Sequence, residues 1–169
     1  MKSIVLSSVV VAVLVFSGCS SKEPSVDASS GANSGMGNES AKGSMNGETS
    51  EMRIARLEKQ FSSVYFDFDK FDIRADMQSK VSDSATLAKT EAKDLTIKLE
   101  GNCDEWGSDE YNFALGLKRS ESVKKSLIAS GVDASKITMV SYGESNPVCT
   151  EKTKDCWSKN RHVDYKLLP

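Results

Sequence analysis

Residues 95–131 begin Leu95-Thr96-Ile97-Lys98-Leu99-Glu100-Gly101, continue Asn102-Cys103-Asp104-Glu105-Trp106-Gly107-Ser108, and then run from Asp109 to Ser130 before Gly131. In the first part Leu95, Ile97 and Leu99 alternate with Thr96, Lys98 and Glu100, the two-residue period of a strand with one buried face. The second part is polar, holds Asp104, Glu105 and Gly107, and reads as a loop. The third carries Leu115, Val123, Leu127 and Ile128 on a long helix, and Gly131 just past it reads as a left-handed C-cap. Residues 137–142, Ile-Thr-Met-Val-Ser-Tyr, return as a strand. Strand, long helix and strand in succession predict helices layered on a sheet.

The flanks extend this pattern. Residues 51–61 are strong helix formers with Ile54, Leu57 and Phe61 at helical spacing. Val64, Phe66 and Phe68 then alternate with Tyr65, Asp67 and Asp69 as a strand. Ile73, Met77, Val81 and Ala85 recur every fourth residue, an amphipathic helix reaching Ala92. Residues 161–167, Arg-His-Val-Asp-Tyr-Lys-Leu, alternate as a fourth strand. The expected fold of 51–169 is therefore α+β: a mixed four-stranded sheet with two main helices packed on one face.

The N-terminal part is unlike the rest. Residues 4–16 form an apolar run behind Lys2. A spanning helix needs about 18 or more apolar residues, so this run reads as the core of a signal peptide, 1–18. Its end, Phe16-Ser17-Gly18-Cys19, resembles the bacterial lipobox, which implies that Cys19 is lipidated and becomes the mature N-terminus. Ser20 follows where a retention signal would place Asp. Residues 19–50 hold no aromatic residue and only Val26 among the β-branched aliphatics, too little to bury. As a flexible coil, such a tether has a root-mean-square span of roughly 30 Å.

Composition removes several function classes. The formal net charge of −2 and pI near 5.5 argue against nucleic acid as a partner. A single histidine leaves little room for histidine–metal or Ser-His chemistry. Of four cysteines, Cys19 is committed to lipid. Cys149 and Cys156 flank a polar loop with no second ligand pair nearby for zinc, so a disulfide is expected. Cys103, at a strand end, reads as a small buried residue. Glu105 adjoins Asp104, which rules against a glycosidase pair, since those carboxyls face each other across a sugar. Neither a Gly-x-Ser-x-Gly, a His-Glu-x-x-His nor a P-loop pattern is present. No cofactor or metal is implied, and no enzyme.

Four segments in order resemble the OmpA-like domain superfamily and, within it, the peptidoglycan-associated lipoprotein family. They are Val64–Arg74, the long Glu100–Gly116 stretch continued by Lys118-Arg119, Ser141-Tyr142-Gly143-Glu144, and Ser158-Lys159-Asn160-Arg161. Departures fall at Asn102 and Cys103, where many relatives have His and Thr, at Trp106 for Arg, and at His162 for a second Arg.

The resemblance implies a non-catalytic clamp for meso-diaminopimelate in the peptidoglycan stem peptide. Asp104 would meet the ligand's ammonium and Arg119 its carboxylate, a guanidinium fork being suited to that group. Phe68 and Asp69 map to the pocket floor, Asn112 and Leu115 to its wall. It further implies an outer-membrane lipoprotein, anchored by its lipid at the periplasmic face, that tethers the membrane to the cell wall. Its partners would be a TolB-like periplasmic protein competing for the same surface and a TolA-like protein, in a Tol–Pal role in envelope integrity and division. The alternative is an anchor of the same kind outside the Tol system.

Taken without the resemblance, Asp104-Glu105 is turn chemistry and Lys118-Arg119 a solvated helix face. With the clamp reading, truncating Asp104, Lys118 or Arg119 is expected to leave the fold intact, since none removes core volume. His162 reads as exposed and structural. Trp106 and Trp157 fit either a binding rim or a cap on the core.

Overall fold

The computed structural model describes residues 47–169. The signal segment, Cys19 and the tether up to residue 46 lie outside the described residues. The described chain runs α1 (Ser50–Glu58), β1 (Val64–Tyr65), a 3₁₀ turn at Ala75–Met77, α2 (Gln78–Lys89), β2 (Thr96–Asn102) and α3 (Asp109–Ala129). It continues through β3 (Ile137–Gly143), α4 (Lys154–Asn160) and β4 (His162–Leu168). The strands form one open mixed sheet in the order β1-β4-β2-β3. β2 and β3 are parallel, joined by the α3 crossover that parallel pairing requires. β4 runs antiparallel to both β2 and β1.

The α+β expectation holds, with three local differences. First, β1 is short: Val64 faces Val163 and Tyr65 faces His162, and one further bond joins Phe66 N–H to Arg161 O. The chain then turns, with Lys70 N–H on Asp67 O and Asp69 at φ +58°. Phe66 stays in the core, whereas Phe68 swings out to 59% exposure. The alternation is real, but the turn ends the strand before Phe68. Second, the end of the polar loop between Cys149 and Cys156 runs into a helix with no sequence counterpart, α4, capped by Thr153 accepting from Cys156 N–H. Third, Ser50, grouped with the tether by composition, opens α1 beneath its cap Thr49.

The core joins α1, α2 and α3 to the sheet through Leu57, Phe66, Val81, Leu99, Val123 and Leu127, each fully buried. Each such side chain contributes roughly 1.5–3 kcal/mol by leaving water. α3 lies unusually close to the sheet. A Cβ at Gly101 would sit 2.0 Å from Gly116 O, and one at Gly116 would sit 2.3 Å from Ser141 Oγ. Gly131 ends α3's turn at φ +90°, as its position predicts. Cys149 and Cys156 are disulfide-bonded with Cα atoms 5.2 Å apart. Asn160 holds their loop, its Oδ1 accepting from Val148 and Cys149 N–H and its Nδ2 donating to Cys149 O.

Candidate functional site

The site forms where β2 ends, beside the start of β4. There the turn after β1, the 103–108 loop, the first turns of α3 and the end of α4 converge. Two cavities share Phe68, Asp104 and Trp106 along their common wall. The smaller, about 310 Å³, adds Asp69, Gly107, Tyr111 and Leu115. The larger, about 470 Å³, adds Lys154, Trp157 and Arg161. Phe68, Asp69, Asp104 and Leu115 are thus brought together at one place.

Asp104 is only 4% exposed, so its charge needs a partner. That partner is Arg161, whose Nη1 donates to Asp104 Oδ2 at 2.8 Å while Nε donates to Phe66 O. The resemblance implied Asp104 and Arg119 as the two ligand contacts and gave Asp104 no partner within the chain, so the Arg161 pair is a further feature of the site. Arg161 belongs to a segment that carried the family resemblance, but its partner is 57 positions away and spacing along the chain could not supply it.

Arg119 lies beneath the site at 1% exposure, among the largest fully buried side chains. It is no solvated helix residue. Its Nε donates to Lys70 O at 2.9 Å, Nη1 to Asn102 O at 2.8 Å and to Cys103 Sγ, and Nη2 to Asp67 O. It ties the turn after β1 to the end of β2, and its guanidinium stacks over the buried Phe66 ring. Burial pulls its pKa below the usual arginine range, against the pull of Cys103 and Asp104. The premise that truncating it removes no core volume does not hold, because the side chain is buried and donates to three carbonyls.

Asn112 is fully buried and faces no cavity. Its Nδ2 donates to Asp104 O and to the Glu144 carboxylate, so it braces the 103–108 loop from below. Its Oδ1 has no partner. At the mouth, the Tyr111 hydroxyl donates to the Asp69 carboxylate, which raises the phenol's pKa. Cys103 is buried, as expected. Burial, opposed by Arg119, pushes its thiol up to about 11, so it is inert near neutral pH.

His162 is buried at 2%, not exposed. Its ring bridges Lys159 O, Asn102 Nδ2 and Asp164 Oδ2. Trp106 and Trp157 meet edge to face with ring centroids 5.3 Å apart, and Trp157 Nε1 donates to Glu105. Both border the larger cavity, and Trp106 is 52% exposed, so the pair forms a rim. Among the described residues no cluster of three or more His, Cys, Asp or Glu side chains is placed to hold a metal. No helix among them is long and apolar enough to cross a membrane.

An open mixed sheet with a charged groove at the β2 end defines a class of envelope domain, and residues 65–161 match the model of that class. The chain belongs to the OmpA family. Within it the chain is similar to peptidoglycan-associated lipoproteins. That of Pseudomonas putida is 34% identical over 164 residues, 95% of this chain and 94% of the relative. That of Haemophilus influenzae is 41% identical over 111 residues, 65% of this chain and 71% of the relative. The crystal structure of the peptidoglycan-associated lipoprotein from Burkholderia pseudomallei superposes with a TM-score of 0.59 at 36% identity, covering 62% of this chain and 88% of that one. The C-terminal domain of Helicobacter pylori MotB shares the fold, at a TM-score of 0.60, 23% identity, and coverage of 64% and 84%.

Proposed function

We propose that this protein is a lipid-anchored, non-catalytic binder of peptidoglycan that ties the outer membrane to the cell wall. The names of its relatives support the association with peptidoglycan. The observation that carries the reading is Asp104, a nearly buried carboxylate on the wall shared by both cavities, with a guanidinium 2.8 Å away.

The ligand in this reading is meso-diaminopimelate of the stem peptide, which presents an ammonium and a carboxylate on one carbon. Asp104 takes the ammonium. Arg119 donates only to uncharged acceptors, so its positive charge is not neutralised by contact and draws the carboxylate from beneath the floor. Phe68 and Asp69 form the floor, Leu115 the wall, and Asn112 holds the wall in place. The Cys19 lipid supplies the membrane anchor, since more than one acyl chain gives stable attachment. The protein acts as the Pal component of a Tol–Pal system, with a TolB-like protein competing for this surface and a TolA-like protein as a further partner.

Sedimentation of the full chain with isolated sacculi tests the core of this. Wild type should pellet and be released by free meso-diaminopimelate. Asp104→Ala should stay in the supernatant, because truncating one member of a charge pair costs about 2–5 kcal/mol. Lys118→Ala, on the exposed face, should pellet as wild type does. An Asp104→Ala protein that pelleted fully would end this reading. Capture of a TolB-like protein, blocked by excess sacculi, separates the Tol role from an anchor outside that system.

A further inference from the structure

The larger cavity is not explained by the clamp. Diaminopimelate needs one anion and one cation, which Asp104 in the smaller cavity and Arg119 buried beneath it provide. Lys154, Trp106 and Trp157 stand beyond it, around about 470 Å³ of further space. We propose that this space is a saccharide subsite, which takes a pyranose ring of the glycan strand while the attached stem peptide occupies the neighbouring pocket. The inference rests on the reading of the site as a peptidoglycan clamp.

The chemistry of the surfaces selects this occupant. A pyranose has an apolar face of axial C–H groups and a rim of hydroxyl and acetamido groups. Its binding site therefore needs a flat aromatic platform with hydrogen-bonding groups at the platform's edge. Trp106 supplies the platform, and Trp157 stands at 78° to it as a side wall. Their edge-to-face contact at 5.3 Å fixes the angle between the indoles, and Trp106 remains 52% exposed. Trp157 is pinned a second time by Nε1–H on Glu105 Oε1 at 3.0 Å, which leaves Oε2 of that exposed carboxylate free to accept from a hydroxyl. Lys154 and Arg161 line the cavity almost wholly through apolar atoms, which suit the C–H face of a ring. Two large rings held this way lose little freedom on binding, and such preorganisation favours affinity.

Position selects it too. Phe68, Asp104 and Trp106 line both cavities, so a ligand with its peptide on Asp104 leads directly onto Trp106. The methyl group of an alanine would leave most of the space empty. An apolar side chain from a protein partner is the competing occupant, and it leaves the Glu105 carboxylate at the edge of Trp157 unused.

The test is calorimetric titration of the full chain in detergent with two soluble probes: the disaccharide–tetrapeptide, and the same tetrapeptide freed of its sugars. Wild type should bind the sugar-bearing probe about ten-fold more tightly, the scale of one well-stacked ring. Trp106→Ala should erase that preference, weakening the sugar-bearing probe about ten-fold more than the free tetrapeptide, with Trp106→Phe restoring part of it. Asp104→Ala should lose both probes. Trp106 is half exposed, so its replacement leaves the core intact, and circular dichroism verifies the fold. Equal binding of both probes by wild type overturns the saccharide subsite alone. So does a Trp106→Ala protein weakened equally for both, since the ring then lies on the peptide. If neither probe binds, the clamp itself falls and the subsite with it.

Discussion

Arg119 and Asp104 are both charged and both nearly buried, yet their roles separate at the level of single atoms. Arg119 ties three backbone carbonyls and a thiol, whereas Asp104 has one cationic partner, Arg161. Arg119→Ala leaves those carbonyls without a donor, and an unsatisfied buried group costs about 1–3 kcal/mol. The variant should lose at least about 3 kcal/mol, read as a lowered urea midpoint, with sacculus binding lost along with the fold. Arg119→Lys should recover only part of this, since an ammonium lacks the guanidinium's fork. An unchanged midpoint for Arg119→Ala would contradict the tie. Acid sensitivity is also a residue-scale property. Burial works to raise the Asp164 pKa, but the bonds from His162 and Ser63 outweigh it and hold it below the usual carboxylate value. A lowered folded-state pKa means the unfolded chain binds the proton first. Its stabilisation is therefore fully present above the ordinary value of about 3.9 and is lost as pH falls through the folded value. Asp164→Asn should flatten the low-pH limb of the urea midpoint against pH and leave the near-neutral slope unchanged. A limb as steep as wild type's would count against this assignment.

At the scale of elements, β2 and β3, β4 and the long helix are legible in sequence because their apolar residues keep one period over a whole element. Leu95, Ile97 and Leu99 alternate without interruption, and all are buried. α4 is not legible. Its seven residues, Lys-Asp-Cys-Trp-Ser-Lys-Asn, hold too few apolar positions to show a period, and a Thr153 cap and the disulfide hold it instead. The site is legible to the same degree. Phe68, Asp69, Asp104 and Leu115 meet as the family resemblance implies, but the Asp104–Arg161 pair depends on how α4 is seated, and no local pattern reports that. α3's closeness to the sheet is likewise written only as two glycines. Gly116→Ala would push a methyl to 2.3 Å from Ser141 Oγ, and Gly101→Ala would drive one into the backbone of α3. Both variants should be destabilised by about 1–3 kcal/mol, the range of core overpacking. Gly101→Ala should be the worse, since a backbone cannot turn aside as a side chain can. Thermal unfolding of the two measures this, and equal melting temperatures with wild type would mean that α3 can lift without penalty.

The whole molecule has a direction. α1, the first element after the tether, packs at one end of the sheet: Arg53 pairs with Asp94 just before β2, and Glu58 accepts from Leu167 N–H at the end of β4. The groove occupies the opposite end, where β2 finishes and β4 begins. The chain thus enters the domain on the side away from the site, which suits a link between a lipid at one end and the wall at the other. Among the described residues every core residue lies between Leu57 and Leu167, which form one continuous cluster that 47–169 carries by itself. A protein of residues 47–169 should therefore unfold in one cooperative transition and bind sacculi as the full chain does. The Cys149–Cys156 bridge should contribute roughly 2–3 kcal/mol to that transition by closing its short loop. Cys149→Ser/Cys156→Ser should reveal this as a lower midpoint. In cells lacking the full-length gene, however, the same truncated protein exported behind a cleavable, non-lipidated signal peptide should remain unanchored and fail to stop leakage of periplasmic contents, although it reaches the wall. Full rescue by the truncated protein would show that wall binding alone suffices and that the lipid proposed at Cys19 has no mechanical role. Rescue only by the lipidated chain would place the function in the connection between the two ends.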